Sequence, residues 1–77
     1  MGKTKMKFRI GNTIRILRAE HKISQEHLAN AIEVTRATMN AVEKGNYNPS
    51  LDLAFRIADY FQKDLTEIFK IEGRNDE

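Results

Sequence analysis

The sequence contains no cysteine, only one proline in 77 residues, and no long apolar run. Without cysteine the chain can form neither a disulfide nor a thiolate metal site. No apolar stretch approaches the roughly 20 residues of a membrane-spanning helix, and the first residues do not resemble a secretory signal. We therefore expect a cytoplasmic protein without a membrane partner. A chain of this length holds one small core, which argues against a large active-site cleft.

The sequence also lacks an excess of either charge once the chain ends are set aside. The formal net charge is +2, but residues 10–71 carry eight basic and eight acidic side chains. The imbalance lies in the ends, where Lys3, Lys5, Lys7 and Arg9 are unopposed and acidic residues predominate after residue 71. The predicted folded part is neutral, so net charge gives only weak support for a polyanionic partner.

Apolar residues recur at helical spacing in five segments, each preceded by a residue that can cap a helix. The predicted helices cover residues 12–22, 25–32, 36–44, a longer stretch after Ser50, and one turn from Asp64 to Phe69. Their expected caps are Asn12, Ser24, Thr35, Ser50 and Asp64, and Gly45 is expected to end the third helix. The pattern predicts an all-α, five-helix domain over residues 10–70.

Apolar side chains on these helices are expected to meet in one core. Ile14 and Leu17 share a face of the first helix with His21, and Met39 and Val42 should point inward from the third. The fourth helix has the best-formed apolar stripe, which consists of Leu51, Ala54, Ile57, Ala58 and Phe61.

The sequence of the chain ends is compatible with two alternative structures. "MKFRI" near the start and "IFKIE" near the end alternate apolar and polar side chains, as half-buried strands do. They could pair as a short antiparallel ribbon, or both could be frayed, because an isolated two-stranded ribbon is marginally stable. Residues 1–9 are thus a basic arm or a short strand, and residues 71–77 are a tail.

The second and third predicted helices, joined through Glu33 and Val34, have the arrangement of a helix-turn-helix. The third helix would then show a narrow outward stripe to the major groove of DNA. On that stripe Arg36 can bind guanine through two hydrogen bonds, Asn40 can bridge adenine, and the Ala37 methyl can meet a thymine methyl.

The segments "SQEHLA", "VTRATMNAVEKG" and "NPSLDLAFRIA" follow one another at fixed spacing. Together they resemble the phage-repressor and Cro-like helix-turn-helix family, in the form of small standalone bacterial repressors. The resemblance covers residues 10–70 and implies a lambda-repressor-like DNA-binding fold with double-stranded DNA as partner.

The resemblance also implies roles for individual residues. The base-reading positions would be Arg36, Ala37, Thr38, Asn40 and Ala41. The phosphate-contacting positions would be Gln25, Thr35, Lys44, Asn46 and Tyr47, with Gln25 also bracing the third helix. Arg18 and Glu43 would form a structural ion pair. The sequence departs from the family pattern at Ala37, where glutamine is common, and at Glu33, where glycine is common.

These observations predict a homodimeric, sequence-specific DNA-binding repressor with a two-fold symmetric operator. Residues near the end of the fourth helix and after it are expected at the dimer interface: Phe61, Leu65, Ile68, Phe69 and Ile71. The alternative is a helix-turn-helix module that binds protein, such as an antitoxin or a bridging factor.

An enzyme is not expected, because no nucleophile and base are arranged together. Asp64 serves better as a cap than as the partner of Asp59 in a carboxylate pair. His21 and His27 lack partners at metal-ligand spacing. We expect no metal, no cofactor and no small-molecule ligand.

Overall fold

A computed structural model describes the backbone of residues 7–75 and the side chains of residues 9–73. The expected basic arm therefore lies largely outside the described residues, as do the last two residues of the tail. Five helices stand between two strands, and the elements in chain order are β1 (Lys7–Asn12), α1 (Ile14–His21), α2 (Gln25–Ala31), α3 (Arg36–Lys44), α4 (Leu51–Phe61), α5 (Leu65–Ile68) and β2 (Phe69–Asn75). The predicted five-helix fold is confirmed.

The two strands form a short antiparallel ribbon, which is the first of the two structures that the sequence allows for the chain ends. Ile10 pairs with Ile71 and Asn12 with Phe69, and a bulge beside Ile10 shifts the register. The ribbon is supported by its continuity with the helices, because β1 leads into α1 and β2 continues directly from α5. A hydrogen bond from Thr13 N to Ile68 O, 3.0 Å long, extends the pairing toward the core.

Side-chain caps begin the helices largely where the sequence predicts them. Ser24 Oγ accepts from His27 N at 2.9 Å, which starts α2, and Ser50 Oγ accepts from Leu53 N at 3.1 Å, which starts α4. At α5 the Glu67 carboxylate accepts from the backbone N–H of Asp64 at 2.9 Å. These bonds satisfy backbone donors that have no partner within the helix.

The start of α1 differs from the prediction. The helix begins at Ile14, and Asn12 belongs to β1, so the predicted start at residue 12 is wrong. Asn12 nevertheless accepts from Ile14 N at 3.0 Å, while its amide nitrogen donates to Val42 O at 2.9 Å. The side chain thus fastens the end of β1 to α3, a long-range contact that local spacing could not predict.

The core lies where the helices meet and includes Ile14, Leu17, Met39 and Val42, as predicted for α1 and α3. His21, predicted on the same face of α1, is exposed. Leu51 is the exception on α4: it is 69% exposed, and Leu53 is buried in the core instead. The buried hydrophobic residues are Ile14, Leu17, Leu28, Ala29, Ile32, Met39, Val42, Leu53, Ala54, Ile57, Ala58, Phe61 and Ile68.

Candidate nucleic-acid interface

The turn between α2 and α3 has the short geometry of a helix-turn-helix. Val34 N donates to Ala29 O at 2.9 Å, which folds the chain back after α2. Glu33 has a φ of 63°, in the left-handed region that favours glycine. This conformation costs a non-glycine residue about 1–2 kcal/mol. The next residue, Val34, packs against the core.

Helix α3 is capped at both ends and anchored on one side. Thr35 Oγ1 accepts from Thr38 N at 3.0 Å, and Gly45, with a φ of 79°, ends the helix. Met39 and Val42 are almost completely buried. Because they lie three residues apart on one face, they fix the rotation of the helix about its axis.

Of the predicted base-reading positions, Ala37, Asn40 and Ala41 lie on the opposite face of α3, and Arg36 and Thr38 lie at the edges of that face. Arg36 and Ala37 are exposed near the start of the helix, while Thr38, Asn40 and Ala41 are half-buried. The Thr35 hydroxyl donates to Thr38 Oγ1 at 3.0 Å, so the two hydroxyl groups form a pair at the first turn. The exposed end of this face combines small side chains with polar ones.

A polar cluster, which we call the Gln25 network, connects this face to the rest of the domain. Gln25 Nε2 lies 3.3 Å from Asn40 Oδ1 and 3.2 Å from Glu43 Oε1. Arg36 Nε lies 3.4 Å from Gln25 Oε1. One side chain at the start of α2 therefore contacts three residues of α3.

Arg18 and Glu43 form an ion pair at the base of the Gln25 network. Arg18 Nε and Nη2 donate to the two carboxylate oxygens of Glu43 at 2.8 and 3.0 Å, and the two side chains are only 16% and 5% exposed. The hydrogen bond to Glu43 raises the pKa of the Arg18 guanidinium, burial lowers it, and the carboxylate charge raises it again. The geometry is that of a structural pair that joins α1 to α3.

The segment after α3 is exposed. Lys44, Asn46 and Tyr47 lie on the surface, and Asn46 N donates to Ala41 O at 3.0 Å, which holds the turn against the end of the helix. The predicted phosphate-contacting residues therefore occupy both ends of α3: Gln25 and Thr35 are near its start, and the other three are at its end.

Arg56 supports the helix-turn-helix and was not predicted from the sequence. Its Nη1 donates to the carbonyl oxygen of Ile32, at the end of α2, and its Nη2 lies 2.6 Å from Asp52 Oδ2. The spacing of four residues between Asp52 and Arg56 could have indicated the ion pair, but it could not indicate the contact with α2.

Two residues predicted at a dimer interface lie in the core of the protomer itself. Phe61 is 5% exposed and Ile68 is fully buried, so neither is available to a partner. Leu65 and Phe69 are partly buried and Ile71 is exposed. Large exposed apolar side chains that the prediction missed include Leu51 and Phe55 on α4, at 69% and 55% exposure, and Ile16 on α1, at 59%. Leu51 also borders a groove of 410 Å³, whose lining residues are Ile10, Pro49, Leu51, Ala54, Leu65, Thr66 and Phe69.

Other kinds of site find no support among the described residues. No cluster of three potential metal ligands occurs in that part of the chain. His21 stacks at a tilt on Phe61, with ring centroids 5.1 Å apart. The helices of residues 7–75 are all too short to cross a membrane.

Comparison with known proteins agrees with this geometry. The model of a family described as helix-turn-helix matches residues 14–68. An uncharacterized HTH-type transcriptional regulator of Methanocaldococcus jannaschii is 46% identical over 61 residues, which are 79% of this chain and 92% of that protein.

Two further proteins resemble the chain. The cryptic phage CTXphi transcriptional repressor RstR of Vibrio cholerae is 36% identical over 55 residues, 71% of this chain and 50% of that protein. Among solved structures, the restriction-modification controller protein C.AhdI of Aeromonas hydrophila superposes with a TM-score of 0.65 at 31% identity, covering 70% of this chain and 82% of that one.

Proposed function

Because this chain belongs to the helix-turn-helix family of transcriptional regulators, we propose that it is a homodimeric repressor in which α3 reads the major groove of a two-fold symmetric operator. Membership of the family implies regulation through DNA binding. The dimer, the repression and the use of α3 are the parts that we propose here.

The anchoring of α3 carries the proposal. Met39 and Val42 hold one face of the helix in the core, and the opposite face, directly after the turn, is polar at its exposed start. Small side chains at Ala37 and Ala41 permit close approach to base edges, and Arg36 can reach them. We assign base contact to Arg36, Ala37, Thr38, Asn40 and Ala41.

Phosphate contacts would position the helix in the groove. Gln25 and Thr35 at the start of α3, and Lys44, Asn46 and Tyr47 after its end, are placed to reach the backbone on either side. Lys44 is the cation of this set, so it should contribute most of the dependence on salt. Arg18 and Glu43 would act only by holding α1 against α3.

A dimer is proposed because one module of this size buries little surface on DNA. We define the apolar face as Leu51, Phe55, Leu65, Phe69 and Ile71. Leu51 and Phe55 lie one helical turn apart on α4, and Phe69 and Ile71 point to the same side of β2. A second copy of the chain would cover this face, and two copies of α3 would then contact half-sites about 34 Å apart.

Repression would follow from occupancy alone, since a dimer bound over a promoter blocks other proteins from it. The Vibrio cholerae relative is named as a transcriptional repressor. No ligand is needed for this mode of action.

Selection of bound sequences from random duplex DNA tests the proposal. The expected product is a two-fold symmetric motif whose half-sites are centred one turn of DNA apart, bound by a dimer. Absence of any complex with DNA at low salt, or a motif without two-fold symmetry, would contradict the proposal.

The alternative function is binding of a protein partner through the same fold. It is favoured by the neutral charge of residues 10–71, with eight basic and eight acidic side chains. The two functions differ in their response to salt, because DNA binding weakens steeply as salt displaces the protein from phosphates and an apolar protein contact does not.

A further inference from the structure

The Gln25 network contains groups that can act in only one direction. An arginine N–H can only donate a hydrogen bond, and an ionised carboxylate can only accept one. Glu43 receives two hydrogen bonds from Arg18, so both of its carboxylate oxygens act as acceptors. These fixed groups determine the orientation of the amides between them.

Gln25 is oriented by both of its charged neighbours. The atom that faces Glu43 Oε1 at 3.2 Å must be a donor, and the atom that faces Arg36 Nε at 3.4 Å must be an acceptor. The Gln25 amide nitrogen therefore points toward Glu43 and its oxygen toward Arg36. The two requirements agree, so the opposite orientation would lose both bonds.

The orientation of Asn40 follows from that of Gln25. The second N–H of Gln25 Nε2 points at Asn40 from 3.3 Å, so the Asn40 atom in contact must be the oxygen Oδ1. The Asn40 nitrogen Nδ2 is then directed away from the network. Within residues 9–73, neither Asn40 Nδ2 nor the two Nη atoms of Arg36 donate a hydrogen bond to the protein.

Arg36 and Asn40, one turn apart on α3, thus both offer hydrogen-bond donors to the groove. Guanine presents two acceptors there, O6 and N7, whereas adenine presents one acceptor and one donor. To bridge adenine, Asn40 must accept a hydrogen bond from the base through Oδ1. That oxygen already accepts a hydrogen bond from Gln25, which uses one of its two lone pairs. Guanine can accept from Nδ2 and leave the network unchanged.

We propose that Gln25 makes Asn40 a reader of guanine rather than adenine. Gln25 is then a specificity-determining residue that acts through Asn40, in addition to any contact it makes with phosphate. This revises the adenine contact that side-chain type alone suggested for Asn40. The inference rests on the proposed function, because Asn40 meets a base only if α3 enters the major groove.

Four proteins test it by selection from random duplex DNA: the wild type, Asn40→Ala, Gln25→Ala and the control Asn30→Ala. Asn30 is an exposed amide on α2 that lies outside the network. The base pair whose preference disappears in Asn40→Ala identifies the position that Asn40 reads. Far-UV circular dichroism and thermal melting establish that each variant is folded.

The wild type and Asn30→Ala should prefer guanine over adenine at that position by about tenfold in affinity. In Gln25→Ala, Asn40 is free to turn and use both amide atoms, so the ratio should fall below about threefold or reverse. The ratio is taken within each protein, so a uniform loss of affinity from a missing phosphate contact does not alter it.

Adenine preference in the wild type would overturn the inference. So would an unchanged guanine preference in Gln25→Ala, or a motif in which Asn40→Ala alters no position. The proposed function fails in a different way, since the wild type would then select no two-fold symmetric motif at all. Once Asn40→Ala has identified that position, the guanine preference itself is measured from the wild-type affinity for two duplexes that differ only by guanine or adenine there.

Discussion

Removal of Glu43 should destabilise the domain more than the loss of any surface ion pair would. The Glu43→Ala variant leaves the Arg18 guanidinium, 16% exposed, without its carboxylate. It removes the two hydrogen bonds from Arg18, of 2.8 and 3.0 Å, and the one from Gln25, of 3.2 Å. Breaking a buried pair in this way costs about 3–5 kcal/mol. Arg18 keeps some contact with water and a bond to Ile23 O, so we expect the lower end, about 3 kcal/mol.

Such a loss is large for a domain of this size. A chain of 77 residues has a free energy of unfolding of about 4–12 kcal/mol. The predicted loss corresponds to a fall in Tm of about 12–24 °C. If the wild type lies at the lower end of this range, the variant keeps about 1 kcal/mol and is about 15% unfolded at room temperature.

Urea unfolding followed by far-UV circular dichroism measures the effect. The control is Asp52→Ala, which breaks a pair with side chains 40% and 74% exposed and should cost about 1 kcal/mol or less. The double variant Arg18→Met with Glu43→Leu should recover most of the loss, because it removes both charges from the partly buried site. The reasoning is refuted if Glu43→Ala costs no more than the control.

Three further predictions concern other surfaces. Lys44→Ala should weaken binding to operator and random DNA equally and reduce the slope of log affinity against log salt by about 1; unequal losses in a fluorescence anisotropy titration would contradict this. Glu33→Gly should raise the free energy of unfolding by up to about 1 kcal/mol, since the relief of left-handed strain exceeds the added chain entropy; a loss of stability in thermal melting would oppose it. Leu51→Ser with Phe55→Ser should yield folded monomers in sedimentation equilibrium, and an unchanged dimer would exclude the apolar face as the interface.

The positions of the helices could be predicted because their signals are local. Thr35 and Gly45 mark the ends of α3, and the spacing of Met39 and Val42 gives its buried face. Alternation alone does not decide between a ribbon and frayed ends, because the stability of the ribbon depends on continuity with α1 and α5 and not on the two strands alone. Asn12 was expected to cap the first helix, but Thr13 occupies the cap position and Asn12 ends β1, where its amide bonds to Val42, 30 residues away.

Interface residues were harder to predict because periodicity finds apolar side chains without showing what covers them. Phe61 and Ile68 belong to the protomer's own core, while Leu51 stays exposed at the start of α4. The ion pair of Arg18 and Glu43 was expected from the resemblance and is present. The hydrogen bonds of Gln25 to three residues of α3 depend on how closely α2 and α3 approach, which no sequence pattern contains.

The central claim is that α3 reads base sequence, and the Arg36→Ala variant tests it most directly. Affinities of the wild type and the variant are measured for the selected operator and for a scrambled duplex of equal length and composition. We predict that the variant loses about 1–3 kcal/mol on the operator, much less on the scrambled duplex, and relaxes its preference at one base pair. An equal loss on both duplexes would show that Arg36 contacts only the backbone and would contradict the claim.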